Sequence, residues 1–182
     1  MSNDPEIRTL SSRIVYANRW MKVREDVIER SDGVEGIYGV VEKPDFAVVA
    51  AIEDGQVHLV EQFRYPLGFR FLELPQGAWP AGRSGTPEEL ARLELREETG
   101  IQAREMIHVA NVHAGSGFMA QRYDVFLARG LSFGEPQLES EEQGLVACAM
   151  PVDDVIAKIC AGEITDAPTL LTFGMLRLKG YL

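Results

Sequence analysis

Residues 86–100 carry a complete set of helix boundary signals, in a chain whose preceding segments read as strands. Thr86 suits an N-cap, Pro87 the first helical position, and Glu89 closes a capping box. The helix is expected to run through Thr99 and to stop at Gly100. Ahead of it, Trp20–Glu29 and Gly36–Glu42 are rich in β-formers and are separated by the turn signal Ser31-Asp32-Gly33. Ala47–Ile52 is a continuous apolar run of the kind a central strand shows, and Asp54-Gly55 turns it into Gln56–Gln62. Phe69–Leu74, Ile107–Val112, Tyr123–Ala128 and Leu145–Met150 complete the strand candidates. Two further helices are expected at the end, Val152–Ala161 and a segment from near Asp166 to about Lys179. Strands first, one helix in the middle and two at the end exclude regular βαβ alternation. An α+β fold or a mixed-sheet sandwich follows, with an N-terminal antiparallel β-meander.

The central helix is also where chemistry is concentrated. Residues three and four apart share a helix face, so Glu94, Glu97 and Glu98 project to one side. An ordinary solvated helix would alternate such acids with bases four residues on, but Glu94 meets Glu98 there. A cluster of hard oxygen donors is what Mg²⁺ or Mn²⁺ requires.

Charge narrows the partners. The chain of 182 residues has a formal net charge of -10, which opposes binding to nucleic acid or to an anionic membrane. A phosphate-bearing small molecule stays compatible, because a bound divalent cation inverts the local field. Cys148 and Cys160 fit neither a disulfide framework nor a zinc pattern and read as two buried small side chains. No apolar run reaches the ~20 residues of a membrane span, and no secretory signal pattern opens the chain, so a cytoplasmic protein is expected.

The segment Glu94-Leu-Arg-Glu-Glu-Thr-Gly-Ile101 resembles the most diagnostic half of the Nudix box, G-x5-E-x7-R-E-U-x-E-E-x-G-U. Glu73-Leu-Pro-Gln-Gly77, Gln62-Phe-Arg-Tyr65 and the run Gly162-Glu-Ile-Thr-Asp166-Ala-Pro-Thr-Leu170 are similar to the ADP-ribose pyrophosphatase, or nucleotide-sugar diphosphatase, branch of that family. The resemblance implies a Nudix fold, a mixed β-sheet sandwiched between helices, with residues 1–44 as an N-terminal β subdomain used for dimerisation and 45–182 as the hydrolase domain. It departs from the box in three places. Gly77 and Glu94 stand 17 positions apart where the pattern has 15, Leu93 occupies the box arginine, and Gly85 or Arg83 occupies the box's first glutamate. Losing both members of that salt-bridged pair leaves no orphan charge. The sequence leaves open whether Arg92 or Arg96 takes over the brace.

The resemblance also implies roles. Glu94 and Glu98 would be metal ligands with the carbonyl of Gln76, and Glu97 a ligand or a partner behind the ligands. The general base would come from the later acidic loop, Glu141 or Glu142 first and Glu139 third. Arg64 and Arg70 would contact phosphate, with Glu73, Gly117 and Phe118 near the substrate. His113 reads at least as well as a satisfied core or strand-end histidine, and Trp20, Tyr38 and Phe46 as core rather than base-stacking rings. The implied substrate is a nucleoside diphosphate derivative, ADP-ribose ahead of other nucleotide sugars, cut to a nucleoside monophosphate and a sugar phosphate. The competing functions are a non-catalytic ligand-sensing Nudix domain and, further off, a Nudix-fold diphosphate isomerase. The sensor would carry degraded box glutamates and the isomerase a catalytic cysteine. The apolar content of the meander implies a homodimer in which it helps build the partner's pocket.

Overall fold

The computed structural model describes residues 6–80, 82–138 and 142–182. Contacts divide the chain into two compact units, Met1–Asp45 with His113–Arg122, and Phe46–Val112 with Tyr123–Leu182.

The first unit is an antiparallel sheet of β1 (Ile7–Ala17), β2 (Lys22–Arg30) and β3 (Glu35–Glu42), in that order. β1 was not separately legible in the sequence. Two register shifts, between Thr9 and Ser11 and between Ile14 and Tyr16, interrupt its pairing with β2 and blur the period-two alternation that marks a strand. All eleven of its residues are exposed. The excursion 113–122 joins this unit through Val41, whose N–H donates to the carbonyl of Phe118 at 2.8 Å, and through the Tyr38 hydroxyl, which donates to the carbonyl of Gly117 at 2.7 Å.

The second unit is built round β4 (Phe46–Glu53), the apolar run of the sequence. β5 (Gln56–Arg64) follows it across the Asp54-Gly55 turn, and β6 (Phe69–Glu73) pairs with β5. A three-residue strand, β7 (Gln76–Ala78), pairs antiparallel with β4 and leads to α1 (Pro87–Thr99). β8 (Ile101–His113) and β9 (Arg122–Phe133) follow, β9 lying parallel to β4. β10 (Val146–Pro151) returns antiparallel to β5, and the chain ends in α2 (Val152–Ala161) and α3 (Ala167–Leu178). The sheet is therefore mixed. Cys148 is half-buried and Cys160 exposed, not the two buried side chains expected from the sequence.

β4 shows why the layers form. Side chains alternate across a strand, so Val48, Ala50 and Ile52 pack on one face with Val155, Phe173 and Leu176 from α2 and α3. Ala47, Val49 and Ala51 pack on the other with Leu90, Ala91 and Leu95 from α1. A strand buried on both faces has no polar side to show, which is why it reads as an unbroken apolar run. This α/β/α sandwich with an antiparallel N-terminal sheet is the architecture expected from the sequence.

Candidate active site

α1 begins as its sequence dictates. The Thr86 hydroxyl accepts from the N–H of Glu89 at 3.2 Å, and the Glu89 carboxylate accepts from the N–H of Thr86 at 2.7 Å. It ends at Gly100, whose φ of 74° is left-handed and whose missing Cβ leaves room for the carbonyl of Gly134. The exit from β9 is tied to this end of the helix. Gly134 N–H donates to Gly100 at 3.0 Å and Gln137 N–H to the carbonyl of Glu97 at 2.8 Å.

With both ends fixed, Glu94 and Glu98 point inward and are only 6% and 2% exposed. Glu94 lies against Gly77, where a Cβ would stand 2.3 Å from its Oε2. Glu98 Oε2 accepts from the backbone N–H of Gln76 at 3.1 Å. The third member is Glu142, from the connection between β9 and β10. One carboxylate oxygen each from Glu94, Glu98 and Glu142 lies within 4.8 Å of the others. Burial first, and then the charges of Glu94 and Glu142, hold the Glu98 carboxyl well above the usual carboxylate range, against the Gln76 N–H that favours its ionised form.

Three buried or half-buried carboxylates this close repel one another, and a divalent cation converts that repulsion into coordination by hard oxygens. The donor set fits Mg²⁺ or Mn²⁺. The group joins two of the expected ligands, Glu94 and Glu98, with Glu142, which was expected among the candidate bases. Glu97 is half-buried and outside the group of three. Glu139 and Glu141 lie outside the described residues. Of Gln76, the N–H is engaged with Glu98, which puts its backbone beside the cluster.

A second buried network adjoins the first through Gln76. Glu73, 1% exposed, takes Arg64 on both oxygens, Nη2 at 2.7 Å and Nε at 3.3 Å. Gln62 donates to Glu73 at 2.7 Å and the Gln76 side chain at 3.0 Å. Gln76 also reaches Asp166 at 3.4 Å. Asp166 caps α3 by accepting from the N–H and hydroxyl of Thr169, and that hydroxyl accepts from Leu74 N–H at 2.9 Å. Burial outweighs the Arg64 guanidinium, so the Glu73 carboxyl sits above its ordinary value. Glu73 thus orients Arg64, whose side chain stays 38% exposed. Gln62, Asp166 and Thr169 were not named as site residues from the sequence, although all three lie in segments that carried the resemblance.

The remaining candidates are dispersed. Arg70 Nη2 donates to the carbonyls of Glu61 and Gly144, and its Nε pairs with the Glu61 carboxylate. Gly117 and Phe118 belong to the first unit, where their carbonyls accept from Tyr38 and Val41. His113 Nε2 accepts from Arg122 at 3.0 Å, a strand-end role.

Other contacts surround the positions at which α1 departs from the box. A Cβ on Gly85 would stand 2.7 Å from Cζ2 of Trp79, so the indole occupies the space of a side chain at 85. Leu93 is buried. Arg92 pairs with Glu88 at 2.9 Å and donates to the carbonyl of Ala103 at 2.7 Å, tying the helix to β8.

Comparison with known proteins agrees with this layout. Residues 42–170 match the model of the NUDIX domain, and residues 7–41 that of the nucleoside diphosphate sugar hydrolase N-terminal domain. The ADP-ribose pyrophosphatase of Bacillus subtilis (strain 168) is 28% identical over 96% of this chain and 94% of its own length. The methanol dehydrogenase activator of Bacillus methanolicus is 27% identical over the same shares. A crystal structure described as that of an ADP compounds hydrolase superposes with a TM-score of 0.84 at 19% identity, covering 100% of this chain and 98% of that one.

Proposed function

This chain belongs to the Nudix family of hydrolases, and from that premise we propose that it cleaves the diphosphate linkage of ADP-ribose or a closely related nucleotide sugar. The observation that carries the reading is the meeting of Glu142, from a loop, with Glu94 and Glu98, from the helix. An N-terminal segment of the nucleotide-sugar hydrolase type and a full-length relative named as an ADP-ribose pyrophosphatase support the substrate class.

Glu94 and Glu98 would hold Mg²⁺ or Mn²⁺, with the Gln76 carbonyl beside them and Glu97 behind. When bound, the cation supplies Lewis acidity toward a phosphoryl oxygen and neutralises charge that develops there. The protein's own work is positioning and proton transfer. Glu142 accepts a proton from water, and the water oxygen attacks one phosphorus of the diphosphate. The bond from that phosphorus to the bridging oxygen breaks. The leaving phosphate monoester takes the electron pair, giving a nucleoside monophosphate and a sugar phosphate. Arg64, locked in orientation by Glu73, offers its guanidinium to a phosphate oxygen.

We place the dimer contact on the β1–β3 sheet. Ile14, Val15, Tyr16, Trp20, Ile37 and Tyr38 are exposed there, and among the described residues of the three strands only Ile28 is a fully buried apolar side chain. Among the described residues, no helix is long and apolar enough to cross a membrane.

The deciding experiment is product analysis with Mg²⁺ and a panel of ADP-ribose, other ADP-sugars and GDP-mannose. AMP and ribose 5-phosphate from ADP-ribose are expected. Tight binding of nucleotide sugars without any product would support the ligand-sensing alternative instead.

A further inference from the structure

Arg70 stands on β6 opposite Phe63 of β5. As read from the sequence it is a phosphate contact, but its guanidinium is engaged within the protein. Nη2 donates to the carbonyl of Glu61 at 2.8 Å and to that of Gly144 at 3.0 Å, while Nε pairs with the Glu61 carboxylate. Those contacts use the Nε hydrogen and both Nη2 hydrogens.

Gly144 belongs to a tight turn. Leu145 N–H donates to the carbonyl of Glu142 at 3.0 Å, and Gly144 has a φ of 89°. That left-handed value is what the third position of a type II turn requires. Leu145 is buried, and β10 then starts at Val146, opposite Glu61. One arginine therefore joins the turn to the residue of β5 at which the next strand begins. The first residue of that turn is Glu142.

The cluster makes such a clamp necessary. Glu94 and Glu98 are fixed by a capped helix and by Gly77 and Gln76. Glu142 sits on a connection, so mutual repulsion among the three acts to displace it first. A charge-assisted hydrogen bond to a carbonyl two residues along the chain opposes that displacement. We propose that Arg70 is a positioning residue that holds Glu142 against Glu94 and Glu98 by clamping the Gly144 carbonyl. The inference rests on reading the cluster as the hydrolytic centre.

The test compares Arg70→Ala, Arg70→Lys, Glu142→Gln and the double variant Arg70→Ala/Glu142→Gln. A misplacement of about 1 Å costs roughly a hundredfold in rate. Arg70→Ala is expected to lower kcat by about that factor while KM and the Mg²⁺ midpoint stay within about twofold. Arg70→Lys, which keeps one charged donor, recovers part of the loss. The double variant turns over no more slowly than Glu142→Gln alone, because the clamp then has nothing to position. Independently of turnover, hydrogen exchange in the cation-free protein should accelerate at the Leu145 amide in Arg70→Ala and stay unchanged at the buried amides of α1. A raised KM with unchanged kcat would make Arg70 a phosphate contact and overturn the proposal. So would additive losses in the double variant, or unchanged exchange at Leu145. If wild-type protein cleaves no nucleotide sugar, the proposed function fails, while the exchange measurement still judges the clamp.

Discussion

The Glu94 carboxylate rests directly on the Cα of Gly77, which has no side chain to keep it away. The pairing explains a sequence constraint that turn geometry does not, since Gly77 is not among the glycines with positive φ. A Cβ there would stand 2.3 Å from Oε2, and the mobile partner in that clash is the carboxylate end. Gly77→Ala should therefore leave the fold nearly intact, within about 1 kcal/mol by denaturant unfolding. Mn²⁺ affinity should fall by about tenfold or more, as titration followed by electron paramagnetic resonance would read. Normal affinity in that variant would mean that Glu94 is not a ligand.

Glu98 makes stability depend on pH in a direction opposite to most carboxylates. Its carboxyl is held well above the ordinary value of 4.5, so the folded state keeps this proton more tightly than the unfolded chain does. That contribution is fully present below the ordinary value and is lost as pH rises through the folded one. In EDTA, wild type should lose stability relative to Glu98→Gln as pH rises from about 4.5 toward neutrality, and the variant should melt higher at pH 7. Saturating Mg²⁺ should reverse that order, because only wild type gains from binding. Thermal unfolding of both proteins, with and without Mg²⁺ across this range, checks each sign.

Arg64 and Glu73 form an unequal pair, one partly exposed and the other wholly buried. Removing the arginine strands a buried carboxylate. Arg64→Ala should cost about 3 kcal/mol in urea unfolding at pH 7, and Glu73→Gln less, since Arg64 can turn to water. Arg64→Ala/Glu73→Leu should recover most of the stability while KM remains raised. Equal losses from the two single variants would show that Glu73 is not held as described.

The exposed apolar side chains of the β1–β3 sheet should be covered in solution. Light scattering at micromolar concentration is expected to give a dimer, and replacing Ile14 and Ile37 with Lys should release the monomer. A fully active wild-type monomer of 20.2 kDa would contradict this. A mixed dimer of a variant altered in the β1–β3 pocket residues with Glu98→Gln should regain activity at one site, and no regain would mean that each subunit builds its own pocket.

How much of this was legible in the sequence varied with the range of the interaction. α1 was, from Thr86 to Gly100, because capping chemistry is local and every signal agreed. β4 was, because burial on both faces leaves an unbroken apolar run. β1 and β7 were not. The first has a bulged, exposed pattern, and the second has only three residues. In the site, helix spacing put Glu94, Glu97 and Glu98 on one face, and only the resemblance singled out Glu94 and Glu98 among them. Glu142 could be named only among three loop acids, because its approach to Glu94 and Glu98 is a long-range contact that no local signal records. The contact of Trp79 with the Gly85 backbone was not legible either. Nothing local to either residue says that they touch.

The most direct test of the central claim is the rate of AMP release from ADP-ribose in saturating Mg²⁺, measured side by side for wild type, Glu98→Gln and Glu142→Gln. Turnover by wild type that falls about a hundredfold or more in each variant is the expected result. Wild-type turnover retained by both variants would contradict a hydrolytic centre built on Glu94, Glu98 and Glu142.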